Sequence, residues 1–376
     1  MHKTIISVRK ILNVLHSKLR TKSKMLELTL EEQKQYNRHL ILDKIGKEGQ
    51  LKLKQAKVLV IGAGGLGCPI LQYLAAAGVG TIGIIDHDTV DQSNLQRQIL
   101  YTTEDVGKSK AATAALRLGK LNPFVNFTVY KEQLTKKNAL SLFSLYDVIV
   151  DGSDNFATRY LTNDAAIIAN KPLVYGAIFK FEGQVSVFNY RGSASYRCLY
   201  PTPPKPEESP NCSEIGVLGV LPGIIGSLQA SETIKIICGI GEVLANKLFM
   251  FDTFSMRQMT LKFEKTSQAE ISKLEEDYEF FCGIRKASKE ITRQELENNL
   301  SKYNLLDVRE LWEREEHHIG GQHIPLGDLE NRYTELKLDK PVVVYCKSGK
   351  RSSRAIEFLG QQFNTVTFIN LKGGTN

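Results

Sequence analysis

The sequence has no long hydrophobic run, although 42% of its 376 residues are apolar. Its apolar stretches fall well short of the roughly 20 residues that a membrane-spanning helix needs, so the pattern excludes an integral membrane protein. Cysteine is also scarce, because six residues scattered along the chain do not form the dense framework of a secreted disulfide-stapled domain. We therefore expect a protein of the reducing cytoplasm with enough apolar residues for two ordinary cores.

Acidic residues are missing from the first 24 positions, which carry seven Lys and Arg residues. The rest of the chain has 42 basic residues against 41 acidic ones, so the net charge of +8 comes almost entirely from this head. A nearly neutral body lacks the broad basic surface of a nucleic-acid binder. We expect residues 1–25 to be a disordered basic extension upstream of a true start at Met25, with a targeting peptide as the alternative.

The stretch from Lys57 to Arg97 carries the strongest local pattern. An apolar run leads into a glycine turn, then a helix-forming segment, then a second apolar run that ends at Asp86. This order predicts a phosphate at the helix N-terminus and ribose hydroxyls that donate to Asp86. The glycines of the turn are Gly62, Gly64, Gly65 and Gly67. The pattern predicts a nucleotide site but leaves NAD and FAD enzymes open.

Four motifs follow one another along this part of the chain: GAGGLG, IIDHDTVDQSNLQRQ, VGKSK and DGSDN. Together they resemble the adenylating domain of ubiquitin-activating-type enzymes, and within that family the molybdopterin-synthase and thiamine sulfur-carrier adenylyltransferases. The resemblance implies an ATP-binding, Rossmann-like α/β domain with a mixed sheet over residues 26–265. Besides the glycines, the residues that it assigns to ATP binding are Asp86, Asp88, Ser93, Asn94, Leu95, Gln96, Arg97, Lys110, Asp154 and Asn155.

The reaction of this family joins a C-terminal carboxylate to the α-phosphate of ATP. A C-terminal carboxyl has a pKa of about 3.3–3.7 and is already ionised at neutral pH, so no general base is required. The obstacle is repulsion between anions, which cations and Mg²⁺ reduce. The resemblance implies that Arg97, Lys110 and a magnesium ion on Asp154 supply this counter-charge, while Arg38 reaches in from the partner subunit of a homodimer.

A hairpin and a proline-rich loop are predicted in the second half of this domain. Residues 171–190 alternate well enough for two strands with a turn at Glu182-Gly183, and the family uses this region as a platform for its ubiquitin-like substrate. Five prolines between residues 201 and 210 predict an extended loop. Cys212 follows at once, and the resemblance implies that it forms a thioester or an acyl disulfide, with a spectator thiol as the alternative.

One departure from the family concerns its structural zinc site, which uses two C-x-x-C pairs. This chain keeps Cys198 and Cys282 but has Ser195 and Glu279 at the other two positions. Four nitrogen or sulfur ligands are the rule for structural zinc. We therefore expect no zinc in this chain.

A second domain is predicted over residues 288–376, after an acid-rich linker over 266–287. Three motifs, LLDVRE, HIGGQHIPL and VVVYCKSGKRS, together resemble a rhodanese domain. Cys346 follows a predicted strand and precedes a helix, so loop amides and the helix dipole favour its thiolate. The spacing C-x4-R suits a sulfane sulfur, whereas phosphatases of related shape need C-x5-R. The predicted persulfide loop comprises Cys346, Lys347, Ser348, Gly349, Lys350 and Arg351, with three cations that should also favour the thiolate.

Together the two resemblances predict an enzyme that activates a sulfur carrier. Its first domain would adenylate the C-terminal glycine of a small ubiquitin-like protein ending in Gly-Gly. Its second domain would take sulfur from a donor such as a cysteine desulfurase and pass a Cys346 persulfide to the activated carboxyl, which yields a thiocarboxylate. The pathway stays open between molybdopterin, thiamine and tRNA thiolation. Two other classes also stay open, an NAD-dependent oxidoreductase and a non-catalytic scaffold that binds a ubiquitin-like protein.

Overall fold

The computed structural model describes residues 27–204, 216–282, 289–363 and 365–375. The chain divides into two compact units after Cys282. Across the described ranges, every helix is too short or too polar to cross a membrane.

The first unit contains eight strands and ten described helices. The helices are α1 (Leu30–Gln35), α2 (Asn37–Leu40), α3 (Gly46–Gln55), α4 (Gly67–Ala76), α5 (Lys110–Leu121), α6 (Ala139–Ser144), α7 (Phe156–Ile168), α8 (Tyr196–Leu199), α9 (Leu221–Cys238) and α10 (Tyr278–Phe281). The strands are β1 (Lys57–Ile61), β2 (Thr81–Ile85), β3 (Asn126–Tyr130), β4 (Val148–Asp151), β5 (Leu173–Phe179), β6 (Glu182–Phe188), β7 (Lys247–Asp252) and β8 (Arg257–Lys262).

The eight strands form one mixed sheet in the order β3-β2-β1-β4-β5-β6-β7-β8. Strands β3 to β5 pair in parallel, and the pairs from β5 to β8 are antiparallel. Strands β1 and β4 are continuous Val, Leu and Ile runs because helices cover both faces of the sheet there. The chain leaves β1 towards one edge and β4 towards the other, so the loops after these two strands open a crevice at their carboxyl ends.

The hairpin between β5 and β6 turns earlier than the sequence pattern indicates. Lys180 and Phe181 form the turn, with Lys180 at a left-handed φ of +52°, and Glu182 already pairs with Phe179. The predicted turn at Glu182-Gly183 is therefore wrong. Gly183 has a packing role instead, because a Cβ there would lie 2.3 Å from the side chain of Ile225 on α9.

Much of the predicted linker packs on the first unit. Leu274 and Tyr278 are buried in its core, and the hydroxyl of Tyr278 donates to Asp164 at 2.7 Å. Asp164 also accepts two hydrogen bonds from the guanidinium of Arg197, at 2.8 and 2.6 Å. The same guanidinium lies 4.5 Å from the ring centre of Phe281. A buried ion pair thus anchors the segment that precedes the division between the units.

The second unit has a five-stranded parallel sheet in the order β11-β10-β12-β13-β9. Its strands are β9 (Lys289–Ile291), β10 (Asn304–Asp307), β11 (Gln322–His323), β12 (Val342–Tyr345) and β13 (Phe368–Leu371). Its helices are α11 (Arg293–Asn298), α12 (Leu311–Glu316), α13 (Leu329–Arg332) and α14 (Lys350–Gln362). Two apolar clusters pack on this sheet, and the loop between β12 and α14 carries Cys346. The fold of both units agrees with the predicted α/β class.

Candidate active sites

The glycine turn after β1 is shaped by backbone contacts that leave no room for side chains. Gly62 has a φ of +85°, and a Cβ on Gly67 would lie 2.1 Å from the carbonyl oxygen of Gly62. The carboxylate of Asp86 accepts the backbone N–H groups of Ala63 and Asp88, at 2.7 and 2.8 Å. Burial raises the pKa of Asp86, against these two hydrogen bonds. Asp86 therefore fixes the turn to the end of β2 as well as facing the crevice.

A cavity opens at the carboxyl ends of β1, β2 and β4. The predicted residues that line it are Gly62, Gly64, Gly65, Asp86, Asp88, Arg97, Lys110, Asp154 and Asn155. Gly67 lies behind the turn as the first residue of α4. Residues that are far apart in the sequence thus meet around one crevice, where ligands bind in open α/β sheets.

Four predicted ATP-binding residues build the turn before Arg97 and do not line the cavity: Ser93, Asn94, Leu95 and Gln96. The carboxylate of Asp91 accepts the backbone N–H of Ser93 at 2.8 Å, and the carbonyl oxygen of Ser93 accepts Nη1 of Arg97 at 3.2 Å. The side chain of Leu95 packs on the apolar core. The SNLQR motif therefore positions the Arg97 guanidinium at the cavity.

Lys110 is the first residue of α5, and its side chain is only 8% exposed. Its Nζ donates to the carboxylate of Asp88 at 3.0 Å. The hydroxyl of Tyr101 donates to the carbonyl oxygens of Lys110 and Ala63, at 3.2 and 2.8 Å. These bonds join the helix that carries the lysine to the glycine turn, so the cation is held in place before any ligand arrives.

Oxygen ligands for a divalent cation line the same cavity. Asp154 follows β4 and is exposed, and Asn155 caps α7 by accepting the backbone N–H of Thr158 at 2.9 Å. Asp86 and Asp88, with His87 between them, bring one ligand atom each within 4.8 Å of one another. Carboxylate oxygens suit Mg²⁺, which in nucleotide sites binds one or two carboxylates together with phosphates. The residues present therefore fit a magnesium ion.

The cavity lining of the described residues leaves two predicted catalytic residues to be placed, Arg38 and Cys212. Arg38 is exposed on α2 and does not line the cavity of its own chain. Cys212 lies outside the described residues.

The sequence pattern misses three buried polar residues that line the cavity, Gln98, Ser153 and Arg159. Gln98 ends the motif IIDHDTVDQSNLQRQ and Ser153 lies within DGSDN, but neither was among the predicted site residues. Arg159 lies four residues after Asn155, the N-cap of α7, and residues at this spacing share one face of a helix. That spacing is the signal by which Arg159 could have been found.

In the second unit, Cys346 is fully buried in the loop between β12 and α14. Burial alone would raise the pKa of its thiol. Hydrogen bonds to the sulfur from the Ser352 hydroxyl and from the backbone amides of Ser352, Ser348 and Arg351 outweigh it, and the pKa is lowered. The loop therefore favours a thiolate, as nucleophilic sulfur chemistry requires.

One of the predicted cations of the loop, Arg351, has a carboxylate partner. Both terminal nitrogens of Arg351 donate to the carboxylate of Glu313, at 2.5 and 2.6 Å, and this contact lowers the pKa of Glu313 to about 2. The charge of Arg351 is therefore already paired. Lys347 is exposed, and Lys350 begins α14. Hydrogen bonds to the sulfur are the main groups that lower the pKa of Cys346, and Arg351 also interacts with it electrostatically.

The two cysteines left from the family's zinc pairs lie in different surroundings. The sulfur of Cys198 accepts the backbone N–H groups of Ser195 and Thr266, each at 3.4 Å. Burial raises the pKa of Cys282 to about 12.

Comparison with known families accounts for both units. Residues 36–272 match the ThiF family, and residues 292–376 match the rhodanese-like domain.

Individual proteins agree with these family matches. A probable adenylyltransferase/sulfurtransferase MoeZ of Mycobacterium tuberculosis is 46% identical over 365 residues, which cover 92% of this chain and 93% of that protein. A sulfur carrier protein adenylyltransferase of Thermus thermophilus is 49% identical over 272 residues, 68% of this chain and 99% of that protein. E. coli MccB with MccA-N7isoASN shares the fold, with a TM-score of 0.57 at 22% identity over 64% of this chain and 74% of that one. The matches do not favour the oxidoreductase or scaffold alternatives.

Proposed function

Because this chain belongs to the ThiF family and carries a rhodanese-like domain, it is an adenylyltransferase joined to a sulfurtransferase, and we propose that it activates a ubiquitin-like sulfur carrier. The group activated is the C-terminal carboxylate of that carrier. The observation that carries the proposal is the cavity where Arg97, Lys110 and Asp154 meet the glycine turn. The relative from Thermus thermophilus, named as a sulfur carrier protein adenylyltransferase, supports the choice of substrate.

The first step needs charge compensation rather than proton transfer. A carboxylate oxygen of the carrier attacks the α-phosphorus of ATP, and the bond from that phosphorus to pyrophosphate breaks. The carboxylate is already ionised at neutral pH, so the barrier comes from repulsion between the two anions. Arg97 and the preorganised Lys110 place positive charge where it offsets that repulsion. The products are an acyl-adenylate and pyrophosphate.

Asp154 is the residue that would hold Mg²⁺ with ATP. Asp154 is exposed and lines the cavity, and Asp86 and Asp88 line the same cavity with carboxylates of their own. A bound Mg²⁺ supplies Lewis-acid polarisation of phosphate oxygens. Asp154 would hold the positive charge of that ion at the crevice.

Arg38 is proposed to act on the cavity of a second copy of the chain. Its position outside the cavity of its own chain means that any contact with ATP requires another subunit. A homodimer, with each Arg38 in its partner's site, meets this requirement.

An exposed apolar patch at the antiparallel end of the sheet suits a protein substrate. It comprises Phe179, Phe181, Phe254 and Met256, and the ring centres of Phe181 and Phe254 lie 5.4 Å apart. Contiguous exposed apolar side chains of this kind mark protein-binding surfaces. Phe179 directly follows Ile178, which lines the cavity, at the carboxyl end of β5.

Sulfur transfer would follow on Cys346. Its thiolate takes the outer sulfur of a donor persulfide and releases the donor thiolate. The resulting Cys346 persulfide attacks the carbonyl carbon of the acyl-adenylate, and the bond from that carbon to the phosphate oxygen breaks, which releases AMP. A second thiol, for which Cys212 is the candidate, then cleaves the S–S bond of the acyl disulfide and leaves the thiocarboxylate. An external dithiol reduces the disulfide that remains.

ATP–pyrophosphate exchange tests the first step. We expect exchange that requires a ubiquitin-like carrier ending in Gly-Gly, that is lost in Asp154→Ala and that survives in Cys346→Ala. Asp147→Ala, outside the cavity, is the matched control and should retain exchange. Carrier-independent exchange, or none with any carrier, would overturn the proposal.

A further inference from the structure

Arg159 is a buried cation of the cavity with few partners. Arg159 is 7% exposed and lines the cavity beside Asp154. Its Nη2 makes one long hydrogen bond, to the carbonyl oxygen of Ser153 at 3.4 Å. Within the described part of the chain, its Nε has no hydrogen-bond partner. A buried guanidinium is costly unless it is paired, so this arrangement points to a missing anion.

The nearby carboxylates do not satisfy Arg159. Asp151 and Asp154 attract it electrostatically, but among the described residues neither forms a salt bridge with it. Asp151 instead accepts the backbone N–H of Ser153 at 2.9 Å, and Asp154 is exposed. Two aromatic rings, of Phe156 and Tyr175, lie 5.3 and 5.9 Å from the guanidinium carbon and complete its surroundings.

Arg159 shares its side of the crevice with Asp154 and Asn155 and lies apart from the other groups that serve the nucleotide. The glycine turn, Asp86 and Lys110 lie on the β1 and β2 side of the crevice. Arg159 lies on the other side, where Tyr175 of β5 pairs with Asp151 of β4. The carboxyl end of β5 contributes Ile178 to the cavity and Phe179 to the exposed apolar patch.

We infer that Arg159 binds the C-terminal carboxylate of the protein substrate and holds it for attack on ATP. This inference rests on the proposed function, because it assumes that the second substrate is a carboxylate. A guanidinium offers a planar pair of N–H donors that matches a carboxylate. Arg159 then acts mainly on the ground state, because the carboxylate charge is lost when the acyl-adenylate forms.

The direct test compares two forms of one carrier, a ubiquitin-like protein ending in Gly-Gly with a free carboxylate and the same protein with a C-terminal carboxamide. Calorimetry without ATP measures their binding to the full-length chain and to Arg159→Gln. Hydrogen bonds between charged groups predict that amidation weakens binding to the unaltered chain at least about tenfold. Amidation should have little effect on binding to Arg159→Gln. Equal weakening in both proteins, or no weakening in the unaltered chain, would overturn the inference.

Exchange kinetics give a second readout. Arg159→Gln should raise the KM for the carrier about tenfold or more while the KM for ATP stays within about twofold. Arg191→Gln, an exposed arginine outside the cavity, is the matched control and should change neither value. A rise in the KM for ATP instead would make Arg159 a nucleotide-binding residue.

The outcomes also separate this inference from the proposed function. Carrier-dependent exchange in the unaltered chain together with insensitivity to amidation would defeat the role of Arg159 alone. Absence of carrier-dependent exchange would defeat the proposed function itself. The amidation experiment on the unaltered chain needs no variant, so insensitivity to amidation overturns the inference even if Arg159→Gln does not fold.

Discussion

The hydroxyl of Ser352 lies 3.4 Å from the sulfur of Cys346, and the backbone N–H of Ser352 donates to the same sulfur over the same distance. Both residues are buried. One serine at the start of α14 therefore supplies two of the hydrogen bonds that favour the thiolate.

Removal of the Ser352 hydroxyl should make Cys346 less reactive at neutral pH. A hydrogen bond to a charged group contributes about 1.5–3 kcal/mol, so Ser352→Ala should raise the pKa of Cys346 by about one to two units. The check is the pH dependence of Cys346 alkylation, followed on its own peptide by mass spectrometry. Ser348→Ala keeps its backbone amide and is the control. An unchanged midpoint in Ser352→Ala would contradict this account of the thiolate.

Asn370 should control the direction of that hydroxyl. Its Oδ1 accepts the Ser352 hydroxyl at 2.6 Å and so competes with the sulfur for the single hydrogen of that hydroxyl. In Asn370→Asp the carboxylate would draw this hydrogen away from the sulfur and add a negative charge nearby. The pKa of Cys346 should then rise further than in Ser352→Ala, as the same alkylation experiment measures. Asn298→Asp, on exposed α11, adds the same charge as the control and should leave the profile in place.

The glycine turn should not tolerate a methyl group at Gly67. Its Cβ would lie 2.1 Å from the carbonyl oxygen of Gly62, so the turn must move and the phosphate-binding amides with it. Gly67→Ala should abolish measurable ATP binding in calorimetry. Gly119→Ala, on α5 with open space around it, should leave ATP binding intact and stabilise its helix by about 0.5–1 kcal/mol. Normal ATP affinity in Gly67→Ala would contradict the assignment of this turn.

The ion pair between Asp164 and Arg197 should be important for stability. Removal of one partner of a buried pair costs about 3–5 kcal/mol, because the other charge stays buried. Asp164→Ala should lower the free energy of unfolding of the first unit by about that amount. Hydrogen exchange should accelerate in residues 274–282, while the strands of the second unit keep their protection. Asp147→Ala at an exposed position is the control, and equal exchange in both variants would show that the pair contributes little.

Local sequence patterns predicted much of the architecture and of the nucleotide site. The glycine turn and the strands beside it depend on residues close in sequence, and the structure contains all of them. The family motifs then placed Arg97 and Lys110 at one crevice. Their surroundings were harder to predict, because the pairing of Lys110 with Asp88 depends on tertiary contacts.

The features that the sequence pattern missed depend on packing between distant segments. The hairpin turn falls at Lys180 because Gly183 is needed under α9, which no alternation pattern reveals. Glu313 lies 38 positions before Arg351, so nothing local indicates that it neutralises this arginine. The incomplete pairing of Arg159 likewise becomes visible only once its neighbours are in place.

The most direct test of the central claim is the intact mass of a carrier ending in Gly-Gly after incubation with the full-length chain, ATP, Mg²⁺, a persulfide donor and a dithiol. The account predicts a carrier in which one oxygen of the C-terminal carboxylate is replaced by sulfur. Cys346→Ala should form no thiocarboxylate while carrier-dependent pyrophosphate exchange continues. A carrier of unchanged mass with the unaltered chain, or full thiocarboxylate formation with Cys346→Ala, would contradict the account.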